Sequence, residues 1–247
     1  MLKRTLLALP VAALMAVSVM GNCYAADNTL KIGTNPTFAP FEFQGKGSNE
    51  MVGFDLDLIQ AIAKQMGRKV EVLNLGFDAL IPAILTGNID AAISGMSITD
   101  ARKKAVDFTE PYYTSGLIIL VDKDNNTIKN IKDLEGKKIG TQIGTTGDEK
   151  ARSVKGAKVV AFNNANEPFL ELDNKGIDAV IQDQPVVAYY LVTGGKGKMV
   201  GERMEAEDYG IAVKKGNKEL VKQFNDALAE LKKNGEYQKI YKKWFGE

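Results

Sequence analysis

The chain has 247 residues, 32 lysines and arginines against 31 acids, a formal net charge of +1 and no histidine. That balance lacks the basic footprint of a nucleic-acid binder, and the missing imidazole excludes histidine-based zinc sites and Ser–His–Asp triads. The single cysteine, Cys23, permits no internal disulfide, and a chain this long buries enough apolar surface without one, as one domain or two small lobes.

The first residues predict a secretory signal peptide over 1–26. Lys3 and Arg4 precede an apolar run over 6–20, and the small residues Ala25 and Ala26 follow. The run is shorter than the ~20 residues that span a bilayer, which disfavours an anchoring helix. Gly21-Asn22-Cys23 is an imperfect lipidation signal, because Asn22 stands where a small residue is usual. Lipid attachment at Cys23 is the alternative to free secretion.

A strand over 30–35 runs into a loop stiffened by Pro36 and Pro40 and carrying Phe38, Phe41 and Phe43. From Phe54 the period changes: Leu58, Ile59, Ile62, Ala63 and Met66 recur at helical spacing. Asp55 and Asp57 lie in the first turn, where the helix dipole favours acids, and Gly67 ends it. A strand over 70–75 follows, then a loop with Phe77. A helix starts at Asp78 and tolerates Pro82 early. Gly87-Asn88 ends it, and a strand over 89–93 delivers Ser94-Gly95-Met96-Ser97-Ile98-Thr99-Asp100-Ala101-Arg102.

The chemistry concentrates in that stretch. Gly95 allows close approach of a backbone to a ligand, and Arg102 can clamp a carboxylate through two charge-assisted bonds. A strand end, a helix cap at Thr99 or Asp100 and a solvated arginine would account for the same residues without a ligand.

A helical turn over 102–106 and a strand over 116–121 come next, then a polar, turn-rich segment over 122–130. Lys31-Ile32-Gly33-Thr34-Asn35 then returns as Lys138-Ile139-Gly140-Thr141-Gln142. Asn88-Ile89-Asp90-Ala91-Ala92-Ile93-Ser94 has an echo in Gly176-Ile177-Asp178-Ala179-Val180-Ile181-Gln182-Asp183. The pairs share one order, and each opens and closes a β-α-β-α-β run. This predicts two lobes of like topology, each a mostly parallel sheet with helical crossovers. Within the second run the expected elements are a helix over 148–154, a strand over 159–162, a helix over 166–173, a strand over 177–181 and a helix over 185–191. A flexible turn over 194–198, a strand over 209–213 returning to the first lobe, and helices over 217–234 and 237–245 complete the chain.

Several motifs then combine: Phe38-Ala39-Pro40-Phe41-Glu42-Phe43, Val52-Gly53-Phe54-Asp55-Leu56-Asp57, Ser97-Ile98-Thr99-Asp100-Ala101-Arg102, Phe108-Thr109-Glu110-Pro111-Tyr112-Tyr113, Gly144-Thr145-Thr146-Gly147, and Gly235-Glu236-Tyr237 with Lys242-Lys243-Trp244-Phe245. Over the whole mature chain they resemble the bacterial extracellular solute-binding proteins, family 3, which take polar amino acids, and among them the glutamine binders. The resemblance implies an α/β, two-lobed periplasmic-binding-protein fold of type II. Lobe 1 would hold 27–111 and 210–247 and lobe 2 would hold 117–204, with hinges about 112–116 and 205–209. It implies a monomer in the periplasm or at the cell surface that closes on a free polar L-amino acid and presents it to the integral membrane permease of an ABC importer. No cofactor, metal, catalysis or nucleic acid is implied.

The residues read the same way. A free amino acid is a zwitterion. Its carboxylate wants a fixed fork and oriented amides, which Arg102, Ser97 and the Thr146 amide at a helix N-terminus supply. Its ammonium wants a carboxylate and acceptors: Asp183, the Gly95 carbonyl and the Ser97 hydroxyl. The resemblance assigns these same positions, adds Ser94 and Thr145, and makes Phe38 and Phe77 the aromatic walls. It also places Asn35, Gln142 and Gln182 at the ligand side chain. That set is neutral, an unpaired buried guanidinium is costly, and amides both donate and accept. Glutamine is therefore the expected ligand. A binder of arginine or another basic amino acid, with Glu42 as a rescuing acid, is the first alternative. A cyclohexadienyl or arogenate dehydratase-like enzyme on the same fold is the second; it would need a general acid, and the zwitterion already occupies Arg102 and Asp183.

Overall fold

The computed structural model of the protein describes residues 28–246 apart from 46 and 48. The expected signal peptide over 1–26, with Cys23, lies outside the described residues. In chain order the first half contains β1 (Thr29–Thr34), β2 (Thr37–Phe38), β3 (Glu42–Gln44), β4 (Met51–Val52), α1 (Phe54–Gln65), β5 (Lys69–Asn74), α2 (Leu80–Thr86), β6 (Ala91–Ala92), α3 (Asp100–Lys103), β7 (Val106–Phe108) and β8 (Tyr113–Val121). The second half contains β9 (Lys138–Gln142), α4 (Thr146–Ser153), β10 (Lys158–Phe162), α5 (Glu167–Asp173), β11 (Ala179–Asp183), α6 (Gln184–Val192), β12 (Lys198–Tyr209), β13 (Ala212–Lys214), α7 (Lys218–Lys233) and α8 (Glu236–Phe245).

Two five-stranded sheets result, ordered β5-β1-β6-β13-β7 and β10-β9-β11-β8-β12. Each holds a parallel trio, β5-β1-β6 and β10-β9-β11, built through helical crossovers, and each is extended by antiparallel strands. This is the two-lobed α/β architecture of the type II periplasmic binding proteins.

The internal repeat is physical. Asp90 follows the helix that returns to the first sheet; its backbone N–H donates to Lys31 O at 2.8 Å, and its Oδ2 accepts from Lys31 N at 2.8 Å. Asp178 does the same to Lys138, at 2.9 Å and 2.8 Å. A Cβ on Gly33 would come within 2.5 Å of Ile89 Cδ1, and one on Gly140 within 2.4 Å of Ile177 Cδ1. The repeated Lys-Ile-Gly-Thr and Ile-Asp-Ala signatures are thus two halves of one strand-to-strand joint, made twice.

Two segments differ from their sequence reading. Residues 36–44 are expected as loop but carry β2 and β3, which form a small antiparallel sheet with β4. Pro36 and Pro40 hide these strands in the sequence. What fixes them is Phe41, fully buried and in ring contact with Phe54, Tyr113, Tyr209 and Phe245. The strand expected over 209–213 is two elements: the long β12 ending at Tyr209, then β13 after Gly210. Register shifts between Val200 and Met204, and between Met204 and Ala206, interrupt the alternation that would reveal β12.

β8 and β12 pair antiparallel out to Tyr113 opposite Tyr209, and the chain passes between the sheets at the ends of these two strands. The buried core is continuous there. It runs from Leu30 and Phe41 through Tyr112 and Tyr209 to Ile118 and Phe169. That rigid aromatic floor positions everything in the cleft above it.

Candidate functional site

Ten of the twelve predicted residues line one recess between the lobes: Phe38, Phe77, Ser94, Gly95, Ser97, Arg102, Gln142, Thr145, Thr146 and Asp183. Asn35 and Gln182 do not; both are buried and act one layer back. The recess is tightly shut, with about 10 Å³ of room, roughly that of one water. An amino acid enters only if the lobes part.

The first lobe contributes the end of β6 and the turn after it. Gly95 has φ 52°, and a Cβ there would lie 2.5 Å from Phe38 Cε1, so glycine lets the ring lie over the backbone. Thr99 caps α3, its hydroxyl accepting from Arg102 N at 3.2 Å. The arginine side chain is thereby sent back across the cleft. Its Nη1 donates to Ser97 O at 2.8 Å and its Nη2 to Gly144 O of the other lobe at 3.0 Å. The guanidinium lies over the Phe77 ring, 5.3 Å from the centroid. Burial lowers its pKa from the ordinary value, opposed by Glu149, Glu207 and Asp183. A guanidinium has five N–H donors, so donors remain for a carboxylate.

The second lobe contributes the end of β11 and the start of α4. Thr145 caps α4, accepting from Asp148 N at 3.2 Å, which leaves Thr146 at the first helical position beside the recess. Asp183 is buried; Ser115 Oγ donates to it at 3.1 Å, and the Tyr209 hydroxyl makes a very short bond to the same oxygen. Burial, and after it the charge of Glu207, pushes Asp183 up to about 7. The two expected ends of a zwitterion site therefore face one recess from opposite lobes.

Asn35, Gln142 and Gln182 are hydrogen-bonded to other protein groups in the closed form. Gln142 Nε2 donates to Asn35 Oδ1 at 2.8 Å and to Asn163 O at 3.1 Å. Asn35 Nδ2 donates to Leu75 O at 3.0 Å. Gln182 Oε1 accepts from the Asp183 amide at 3.0 Å. These amides tie the lobes together and brace Asp183 more than they offer free groups to a ligand. Glu42 is likewise turned away: fully buried, it accepts from Ser94 Oγ at 2.8 Å.

The sequence reading missed Glu207. This carboxylate on β12 accepts from Ser97 Oγ of the first lobe and Thr146 Oγ1 of the second, both at 2.8 Å through the same oxygen. It lies in the polar run of β12, where many charges alternate, and nothing in the local spacing separates it from a solvated acid.

Known proteins place the fold and site in context. The chain is 39% identical over 243 residues to the ABC transporter arginine-binding protein 1 of Escherichia coli (strain K12), covering 96% of this chain and 98% of that one. Among solved structures, an ancestral arginine-binding protein bound to arginine superposes with a TM-score of 0.86 at 47% identity, covering 89% of this chain and 99% of that one. A structure of an ancestral arginine-binding protein bound to glutamine gives 0.82 at 48%, with the same coverage. The names are those of binders, in line with the non-enzymatic reading. A family model matches residues 30–247 throughout, and the chain belongs to the bacterial extracellular solute-binding proteins, family 3.

Proposed function

We propose that the protein binds L-arginine in the recess between its lobes, outside the cytoplasm, and delivers it to the integral membrane permease of an ABC importer. The ligand's carboxylate goes to Arg102 with the amides of Ser97 and Thr146. Its ammonium goes to Asp183 and the Gly95 carbonyl, and its aliphatic stem lies between Phe38 and Phe77. Residues 112–116 and 205–209 act as the hinges, and residues 1–26 as the export signal.

The observation that carries arginine over glutamine is the charge balance. Two carboxylates, Asp183 and Glu207, stand with one guanidinium, Arg102, at the recess, and burial, with the charge of Glu207 second, raises Asp183 to about 7. A neutral zwitterion such as glutamine leaves the surplus negative charge in place. Arginine, with its extra cation, removes it. The expectation of glutamine rests on a neutral set around Asn35, Gln142 and Gln182, whose amides are engaged with one another and with backbone groups. The arginine-binding names among the relatives point the same way.

Glutamine remains a second ligand worth testing, since a related ancestral protein holds it. Titration calorimetry of the chain lacking residues 1–26, against arginine, lysine, glutamine and glutamate, tests the choice. Arginine binds most tightly and glutamate least if the surplus charge selects. Glutamine binding more tightly than arginine overturns the assignment.

A further inference from the structure

Behind the recess, on β3 and in the first turn of α1, Glu42 and Asp55 are both 0% exposed. Asp55 Oδ2 accepts the Gly95 amide at 2.9 Å and the Tyr112 hydroxyl at 2.7 Å. Glu42 Oε1 accepts the Ser94 hydroxyl at 2.8 Å, and Ser94 Oγ in turn accepts the Asn35 amide at 3.0 Å. The other two oxygens, Glu42 Oε2 and Asp55 Oδ1, are buried and accept from no donor among the described residues. The Asp55 N–H donates to the carbonyl of Phe41, the residue before Glu42, at 2.9 Å, and the two carboxyl groups accept from the adjacent residues Ser94 and Gly95, so they sit together. Two ionised carboxylates cannot share a dry site, and buried acceptors without a donor are costly. One proton between them resolves both conditions.

We propose that Glu42 and Asp55 share a single proton, carried on Glu42, and that this bond is a positioning device. It holds Ser94 and Gly95 at the recess and ties them to Tyr112 beside the hinge. Asp55 keeps the negative charge because it already accepts two hydrogens; Glu42 accepts one and donates to Asp55. The groups facing the pair are Ser94 and Gly95 from the end of β6, Tyr112 ahead of β8, and farther off Asp183 from β11 and Tyr237 from α8. None of these is a cation. Burial, and next the charge of Asp55, raises Glu42 well above the usual carboxylate range, while Asp55 rises only to about 6.

The sign of the pH effect follows. Glu42 holds its proton more tightly folded than unfolded, so its contribution is fully present below its unfolded value and is lost as pH rises through its folded one. Asp183, raised to about 7, adds a fall of the same sign. A Glu42→Gln variant isolates the pair: the amide donates to Asp55 and accepts from Ser94 without titrating. Glu42→Ala removes both bonds.

Three measurements on the chain lacking residues 1–26 test the proposal. In an Asp183→Asn background, which removes the other carboxyl raised to about 7, infrared spectra of the ligand-free protein near pH 7 show a protonated carboxyl band that Glu42→Gln removes. Thermal unfolding between about pH 5 and about pH 9 falls less steeply in Glu42→Gln than in the wild type. Affinity for the tightest amino acid stays within about threefold in Glu42→Gln and drops about tenfold or more in Glu42→Ala. If the band is missing, or survives Glu42→Gln, or if Glu42→Gln is as damaging as Glu42→Ala, no shared proton is held there. The spectra and unfolding curves need no ligand, so they judge the pair even if the amino acid is not arginine.

Discussion

In the proposed arrangement Arg102 and Asp183 divide the zwitterion between the lobes, and each makes a prediction. Arg102→Ala leaves a buried ligand carboxylate unpaired, at about 3–5 kcal/mol. Arginine affinity measured by calorimetry should therefore drop by about two to four powers of ten while the circular dichroism spectrum stays unchanged. Burial, and after it the charge of Glu207, pushes Asp183 up to about 7 in the ligand-free site, and an ammonium requires it ionised. Arginine affinity should therefore rise with pH up to about 7 and weaken below it, by up to about tenfold per pH unit. Asp183→Asn should bind weakly at every pH. Glu207→Gln removes the charge that helps raise Asp183, so the break in that profile should move to lower pH; an unmoved break rules out Glu207 as its cause. The place of Ser94, Gly95, Ser97 and Arg102 at the recess was legible in the sequence because hydroxyls, a glycine and an arginine follow a strand. Glu207 was not, because its significance comes from two hydroxyls that meet it from distant parts of the chain.

At the scale of the element, the repeated strand joint tests how the lobes are built. Gly33→Ala and Gly140→Ala each drive a methyl toward an isoleucine Cδ1, at 2.5 Å and 2.4 Å, in a buried core. Each should cost about 1–3 kcal/mol by denaturant unfolding. Adding Ile89→Val to the first, or Ile177→Val to the second, deletes the opposing Cδ1 and should restore part of the loss. If neither pair shows recovery, the glycines are there for another reason. Phe38→Ala should weaken all bound amino acids together, because it removes wall area without removing a polar reader. The amphipathic helices and parallel strands were readable because their periods are regular. β2, β3 and β12 were not: prolines, register shifts and polar residues blur their alternation, and aromatic contacts and pairing with β8 hold them.

At the scale of the molecule, the closed form rests on contacts across the cleft. Gln142 reaches Asn35, Arg102 reaches Gly144, and the Ala165 amide reaches Thr37 Oγ1 at 3.1 Å. Gln142→Ala removes one such bond, worth about 0.5–1.5 kcal/mol. The ligand-free protein should then scatter X-rays as a more open particle, with arginine affinity reduced about two- to tenfold. The two-lobed plan was visible in the sequence through its repeat; which side chains meet on closure was not, since Thr37, Gly144 and Glu207 carry no local mark of it. The most direct measurement is a crystal structure of the protein grown with L-arginine. The account predicts the ligand carboxylate on the Arg102 guanidinium, its ammonium on Asp183 and its stem between Phe38 and Phe77. Arginine seated elsewhere, or reversed so that its guanidinium rather than its ammonium meets Asp183, would contradict it.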